Sequence, residues 1–443
     1  MPGFFFDQWL SSNGWQRAVR LTVTAGRISA IEPDTTPAPT DSRHAIGLTG
    51  LPNLHSHAFQ RGMAGLAEHA AGGEDSFWTW RETMYRFVDR LSPTDLHAIA
   101  AMAQVEMLEG GFTRVGEFHY LHHDPAGSAY ANPAEMAAAL AAAAEETGIG
   151  LTLLPVFYAQ SGFGGAAPTH AQRRFVHDLD GFARLLAASS DAVAALPDAV
   201  VGVAPHSLRA VSPEALAALP AMTAGPIHMH VAEQVKEVED CLAWSGARPV
   251  DWLLDHAPVD ARWCLVHATH MTPDETVRAA ATQAVAGLCP ITEANLGDGL
   301  FPAVEWLAAG GGFGVGSDSN VLIDATEELR LLDYGQRLTR RVRNPLAAGG
   351  SSGAILWQGA SSGGRQALAA PDDAADFLTL DPDHPALAGR SGDAILDALV
   401  FAAGRGAIDG VWRRGRKVVA HGRHVARDAI AARYRRTLAT LLA

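Results

Sequence analysis

His55-Ser56-His57 directly follows the short apolar run Gly50-Leu51-Pro52-Asn53-Leu54. Side chains of a strand alternate with period two, so histidines at i and i+2 face the same side. The pair therefore offers two imidazoles to one metal ion at a strand end. Three later apolar runs also end in polar groups: His230-Val231-Ala232-Glu233, Leu265-Val266-His267 and Gly314-Val315-Gly316-Ser317-Asp318-Ser319. Zinc takes nitrogen and carboxylate ligands, and a catalytic zinc keeps one position for water. His55, His57, His230 and Asp318 supply three imidazoles and a carboxylate, the set expected for one Zn2+ per subunit. Iron or another divalent ion suits the same donors. Such an ion lowers the pKa of its water to about 7 and so makes a hydroxide nucleophile near neutral pH. Glu233, one turn after His230, is placed to take the water's proton and return it to a nitrogen leaving group. These residues predict a metal-dependent hydrolase.

Other patterns are weaker. His228 shares a strand face with His230, but His230 lies nearer the strand end and three residues before Glu233. His119, His122 and His123 have no carboxylate at metal spacing and read as loop or pocket residues. Gly310-Gly311-Gly312 precedes a strand rather than a helix, so it is a turn and not a phosphate loop. Arg413-Arg414-Gly415-Arg416-Lys417 reads as a solvated hairpin. Cys241, Cys264 and Cys289 are too dispersed for a disulfide framework or a CxxC metal site and read as small core residues.

The elements that must position these groups alternate. Apolar strand candidates Leu51–His57, Thr113–Phe118, Leu151–Phe157, Val200–Ala204, Pro226–Val231, Trp263–His267, Ala284–Cys289 and Phe313–Ser317 are separated by helical stretches. Those stretches include Thr94–Glu109, Pro133–Thr147, Gln172–Ala188, Val235–Leu254 and Pro273–Ala281. Eight such units predict an α/β fold, a distorted (β/α)8 TIM barrel, whose sites lie at the C-terminal strand ends. The β-rich segments 1–48 and 370–443 are expected to build a small β-sandwich domain from both termini, flanking a catalytic barrel over 49–369. Gly350–Gly364, rich in Gly and Ser, reads as a surface connection back to that domain.

Composition agrees with a globular enzyme. The 443 residues are 48% hydrophobic and 19% charged, with 34 Lys+Arg against 48 Asp+Glu for a net charge of −14. An acidic balance argues against nucleic-acid and anionic-membrane partners. The start lacks the basic and apolar regions of a signal peptide, and no run of ~20 apolar residues spans a bilayer. The expected location is the cytoplasm, with a small molecule as the partner.

Leu51-Pro52-Asn53-Leu54-His55-Ser56-His57, His230-Val231-Ala232-Glu233, Leu265-Val266-His267-Ala268-Thr269-His270 and Gly316-Ser317-Asp318-Ser319 together resemble the amidohydrolase superfamily. Within it they resemble the mononuclear deaminase and chlorohydrolase branch. After the fourth strand stands Ala204-Pro205-His206-Ser207, without the carbamylated Lys of binuclear members. The longer strings His55 to Glu68, Ser76 to Arg81, Gly116 to His123 and Ala204 to Arg209 resemble the formiminoglutamate deiminase family of histidine degradation. That resemblance implies hydrolysis of N-formimino-L-glutamate to N-formyl-L-glutamate and ammonia. It implies zinc on His55, His57, His230 and Asp318, with Glu233 and His267 handling protons and polarising the substrate. It also implies that Gln60, Arg81, Tyr120, His206 and Arg209 bind the amino-acid portion, and that the chain forms a homodimer. Two arginines suit two carboxylates through bidentate pairing. Arg209 follows a strand end, whereas Arg81 is expected in a long loop that closes over substrate. The alternative is a deaminase of a purine, pyrimidine or related ring amine, which would need stacking and amide readout of a base. A catalytically dead scaffold would be expected to lack one of His55, His57, His230, Glu233 or Asp318.

Overall fold

The computed structural model describes residues 3–69 and 76–443. Its catalytic layer is a ring of parallel strands: β1 (Leu51–Ser56), β2 (Phe112–His119), β3 (Gly150–Phe157), β4 (Val200–Val201 and Ala204–Pro205), β5 (Ile227–Val231), β6 (Trp263–His267), β7 (Val285–Leu288) and β8 (Gly312–Val315). β1 to β4 form one arc and β5 to β8 another. Single parallel bridges close the ring: Val203 to Ile227 and Ser207 to His230 on one side, Ser56 to Asp318 on the other. Every residue of β1, β2, β3, β5, β6 and β7 is buried, which is why these strands read as continuous apolar runs. The result is a distorted (β/α)8 barrel.

The distortion concentrates in β4. Its two short pieces are interrupted at Gly202, where a Cβ would come within 2.3 Å of the Pro226 carbonyl oxygen. The backbone of β5 therefore approaches too closely for any other residue there. The stretch expected as one helix over Val235–Leu254 is two, Val235–Ser245 and Pro249–His256, because Gly246 at φ +75° ends the first. The helix expected from Gln172 starts instead at Leu179, where the Asp178 side chain caps Gly181 N.

Gly350–Gly364 is not a surface connection. Ser352–Ala367 is a largely buried helix against β1 and β8. A Cβ on Gly363 would lie 2.0 Å from the Phe313 carbonyl oxygen and one on Gly359 2.4 Å from the Phe313 ring. The glycines are there for close packing of backbone on backbone, which composition alone reads as a loop.

Both termini contribute to one eight-stranded sheet. The N-terminal strands are Gly3–Ser11, Gly14–Thr24, Arg27–Glu32 and Ser42–Thr49, and the C-terminal ones Phe377–Leu380, Ile408–Arg413, Arg416–Ala420 and Arg423–His424. Phe4 on the first and Trp412 on the Ile408–Arg413 strand are three strand spacings apart along the sheet, roughly 14 Å if it were flat. Their ring centroids are 4.9 Å apart, so the sheet curls until its halves face each other. The basic run is not wholly solvated either. Arg413 is buried, with Nη2 2.7 Å from Asp198 Oδ2 and Nη1 paired to Asp376, and Arg114 also reaches Asp198 at 2.8 Å.

Candidate active site

At the C-terminal strand ends a cleft is lined by His57, His230, Glu233, His267 and Asp318 at its floor. Gln60, Arg81, Tyr120, His206 and Arg209 line the same cleft. Of the sequence-predicted residues only His55 stands behind this wall, fully buried.

His55 Nε2 and His230 Nε2 are 3.0 Å apart. Asp318 Oδ1 is 3.5 Å from His55 Nε2 and 3.2 Å from His57 Nε2. Neighbouring donors around a tetrahedral ion with bonds near 2.0–2.1 Å are separated by about 3.3 Å. His55, His57 and His230 thus converge at the spacing of donors to one divalent cation, with Asp318 beside the first two. His57 Nδ1 sits 2.8 Å from the Phe118 carbonyl oxygen, which fixes the tautomer and leaves Nε2 as the ligand atom. Burial lowers the pKa of all three histidines, His55 to about 3, so they are neutral donors. Burial alone would raise the Asp318 carboxyl, but the flanking imidazoles hold it well below the usual carboxylate range.

The strand ends that carry these groups are bent. Ala232, His267, Ala268, Asp318 and Asn320 all have positive φ, from +42° to +66°, without being glycine. Left-handed backbone costs such residues of order 1 kcal/mol each and persists only where the surroundings enforce it. Around Asp318 the enforcement is a buried amide network. Asn53 Oδ1 accepts from Ser317 N at 3.0 Å, and Asn320 Nδ2 donates to the His57 carbonyl oxygen at 3.0 Å and to that of Asp318 at 3.1 Å. Neither asparagine stood out in the sequence, since their role is set by contacts more than 260 residues apart.

Glu233 follows the bend at Ala232. Burial pushes its carboxyl up to about 7, against the opposing effect of His267 and Arg209. Glu237, one turn into the following helix, accepts from Ala232 N at 3.2 Å and from Glu233 N at 3.3 Å. His267 Nε2 faces Glu233 Oε1 at 3.8 Å and Asp318 Oδ2 at 3.9 Å, while Nδ1 meets Glu293 Oε1 at 3.3 Å. Burial opposes protonation of this imidazole, but the surrounding carboxylates raise its pKa to about 10. Glu237 and Glu293 were missed in the sequence because each reads as an ordinary helix glutamate.

The other end of the cleft is cationic and aromatic. Arg209 is partly buried, its guanidinium 5.9 Å from the Phe77 ring centroid and 5.6 Å from that of Trp78. Arg81 is not in a loop: it lies on the helix Phe77–Val88, capped by Ser76 and Thr79 in a reciprocal box. From there it stacks 4.5 Å over Trp78. Gln60 Nε2 donates to Tyr120 Oη at 3.0 Å, and His206 Nδ1 meets Ser207 Oγ at 3.0 Å. Tyr158, Tyr85 and Phe175 complete the wall and carried no sequence signal beyond apolar burial.

The histidines set aside as decoys lie elsewhere. His228 Nε2 is held 2.7 Å from the Ala367 carbonyl oxygen. His122 and His123 bond the carbonyls of Val156 and Val176.

Residues 46–418 match the amidohydrolase family, and residues 5–45 match the N-terminal domain of formimidoylglutamate deiminase HutF. The chain is 47% identical to formimidoylglutamate deiminase of Pseudomonas aeruginosa, with 100% of each covered. Among solved structures, an amidohydrolase from Brucella melitensis superposes with TM-score 0.97 at 52% identity over 100% of both chains. The fold is also that of atrazine chlorohydrolase TrzN from Arthrobacter aurescens TC1 complexed with zinc. That match has TM-score 0.83 at 20% identity, over 99% of this chain and 100% of the other.

Proposed function

The chain belongs to the amidohydrolase family and, within it, to the formimidoylglutamate deiminases, and from that premise we propose how its site hydrolyses N-formimino-L-glutamate to N-formyl-L-glutamate and ammonia. The observation that carries the reading is the division of one cleft into a carboxylate-and-histidine floor and a two-arginine wall.

His55, His57, His230 and Asp318 hold one Zn2+ in this reading, supported by their separations and by neutral imidazoles. Bound there, the ion supplies the Lewis acidity that lets a water ionise near neutral pH. Arg209 and Arg81 take the two substrate carboxylates, since planar guanidinium donors match carboxylates bidentately. Gln60, Tyr120 and His206 line the path between wall and floor and orient the glutamate portion. Glu233, with a carboxyl poised near the working pH, removes a proton from the attacking water. Addition to the formimino carbon gives a tetrahedral intermediate. His267 donates a hydrogen bond to it while Glu233 returns the proton to the former imine nitrogen and then carries the remaining O–H proton to the same nitrogen. The C–N bond breaks, ammonia leaves, and a formyl C=O remains.

A cytoplasmic homodimer completes the reading. The three cysteines are free and buried, as a reducing compartment requires, and no helix among the described residues is long and apolar enough to cross a membrane. In this reading residues 1–48 and 370–443 form a terminal β-domain of structural role and 49–369 the barrel, a division supported by the one sheet that both termini share.

The test compares N-formimino-L-glutamate with an N-alkylformamidine lacking both carboxylates. The wild type should strongly prefer the dicarboxylate. Equal kcat/KM for the two would remove the arginine wall from the account.

A further inference from the structure

Asp318 presents its two oxygens to two different groups. Oδ1 faces His55 and His57, whereas Oδ2 faces His267 Nε2 at 3.9 Å. Cys289 lies just past the end of β7. One ligand atom from each of His267, Cys289 and Asp318 falls within 4.8 Å of the others, and all three residues are buried. We propose that these three side chains form a second, inhibitory site for a soft divalent cation such as cadmium or excess zinc.

The donor set favours this class of ion. Thiolate is a soft ligand absent from the first cluster, and it selects zinc-like and cadmium-like ions over magnesium or manganese. Metal–sulfur bonds near 2.3 Å and metal–nitrogen bonds near 2.0 Å need ligand separations of about 3.5 Å, so an inward movement of about 1 Å closes the triad. The surroundings attract a cation: Glu293 Oε1 is 3.3 Å from His267 Nδ1, and Glu233 Oε1 is 3.8 Å from Nε2. As the metal bonds to sulfur and to the imidazole nitrogen, the Cys289 S–H bond and one N–H bond of His267 break and both protons pass to solvent. The ion would engage the His267 imidazole, which faces the proton shuttle, together with the Asp318 carboxylate, so its binding stops turnover. Cys289 itself does not line the cleft and takes no part in the reaction. The inhibitory consequence rests on the catalytic reading above, whereas metal capture by the thiol does not.

The experiment titrates the enzyme, loaded with one equivalent of zinc, with cadmium chloride. It follows the ultraviolet thiolate-to-cadmium charge-transfer band together with ammonia release. The wild type should develop the band and lose activity in parallel. Cys289→Ala and Cys289→Ser should keep basal activity, lack the band, and need about 10- to 100-fold more cadmium for half-inhibition, the scale on which lost metal-site contacts act. Cys241→Ala should behave as wild type. Absence of the band in the wild type, its persistence in both Cys289 variants, or equal cadmium sensitivity would overturn the proposal. A band in a wild-type protein inactive on formiminoglutamate would support the metal site and count against the catalytic reading alone.

Discussion

Arg209 Nη2 lies 3.9 Å from Glu233 Oε2 and 3.9 Å from Glu237 Oε2. One partly buried guanidinium thus faces the proton-shuttle carboxylate and the carboxylate that holds the shuttle's backbone. The wall that receives substrate carboxylates and the floor that moves protons meet at this residue.

Arg209→Met should therefore damage substrate capture most. Removing one partner of a largely buried charge cluster costs about 2–5 kcal/mol, or roughly 30- to 5,000-fold in kcat/KM for formiminoglutamate. Steady-state kinetics should show the loss mainly in KM. Unchanged kinetics would exclude the dicarboxylate role.

Glu233→Gln keeps the volume and the contact with Arg209 but cannot carry the proton. Its kcat should fall about 10²- to 10⁴-fold, the usual worth of a positioned acid–base group, with KM little altered. A variant within a few-fold of wild-type kcat would move the shuttle to another residue.

Asp198 links the barrel to the terminal sheet through Arg114 and Arg413. Burial alone would raise its carboxyl, but the two arginines hold it below the usual carboxylate range. A carboxyl lowered on folding contributes stability above its unfolded pKa of about 3.9 and loses it as pH falls through the folded value. Asp198→Asn leaves buried guanidinium charge uncompensated, which should cost about 3–5 kcal/mol at pH 7. In thermal unfolding the gap to wild type should narrow below about pH 4. A gap constant with pH would show that the carboxylate charge contributes nothing.

Gly363→Ala replaces a poor helix former with the best one, a gain of about 1 kcal/mol in an exposed helix. Here the new Cβ would meet the Phe313 carbonyl oxygen. Net destabilisation of about 1–3 kcal/mol is expected by denaturant unfolding, as for other overpacked sites. Stabilisation would mean the helix does not pack on β8 as described.

The barrel and its floor were legible because their signals are local. His55 and His57 share a strand face, and each of the eight strands is an apolar run between helical stretches. What escaped depends on contacts distant in sequence. Gly359 and Gly363 look like loop residues until Phe313 is placed against them, and Arg413 looks solvated until Asp198 arrives from 215 residues away. The helix bearing Arg81 was hidden by its aromatic start, although Ser76 and Thr79 spell a capping box that could have revealed it. In the strand Gly3–Ser11, Phe4-Phe5-Phe6 shows no alternation because all three are buried, Phe4 and Phe6 in the core of the terminal sheet and Phe5 on the opposite face.

The central claim is metal-dependent deimination, and ammonia release from N-formimino-L-glutamate tests it most directly. The protein is assayed loaded with one equivalent of zinc, after chelation, and as the Asp318→Asn variant. The account predicts rapid release by the loaded enzyme, loss on chelation with recovery on adding zinc back, and little activity in the variant. Release that survives chelation, or that Asp318→Asn retains, would contradict it.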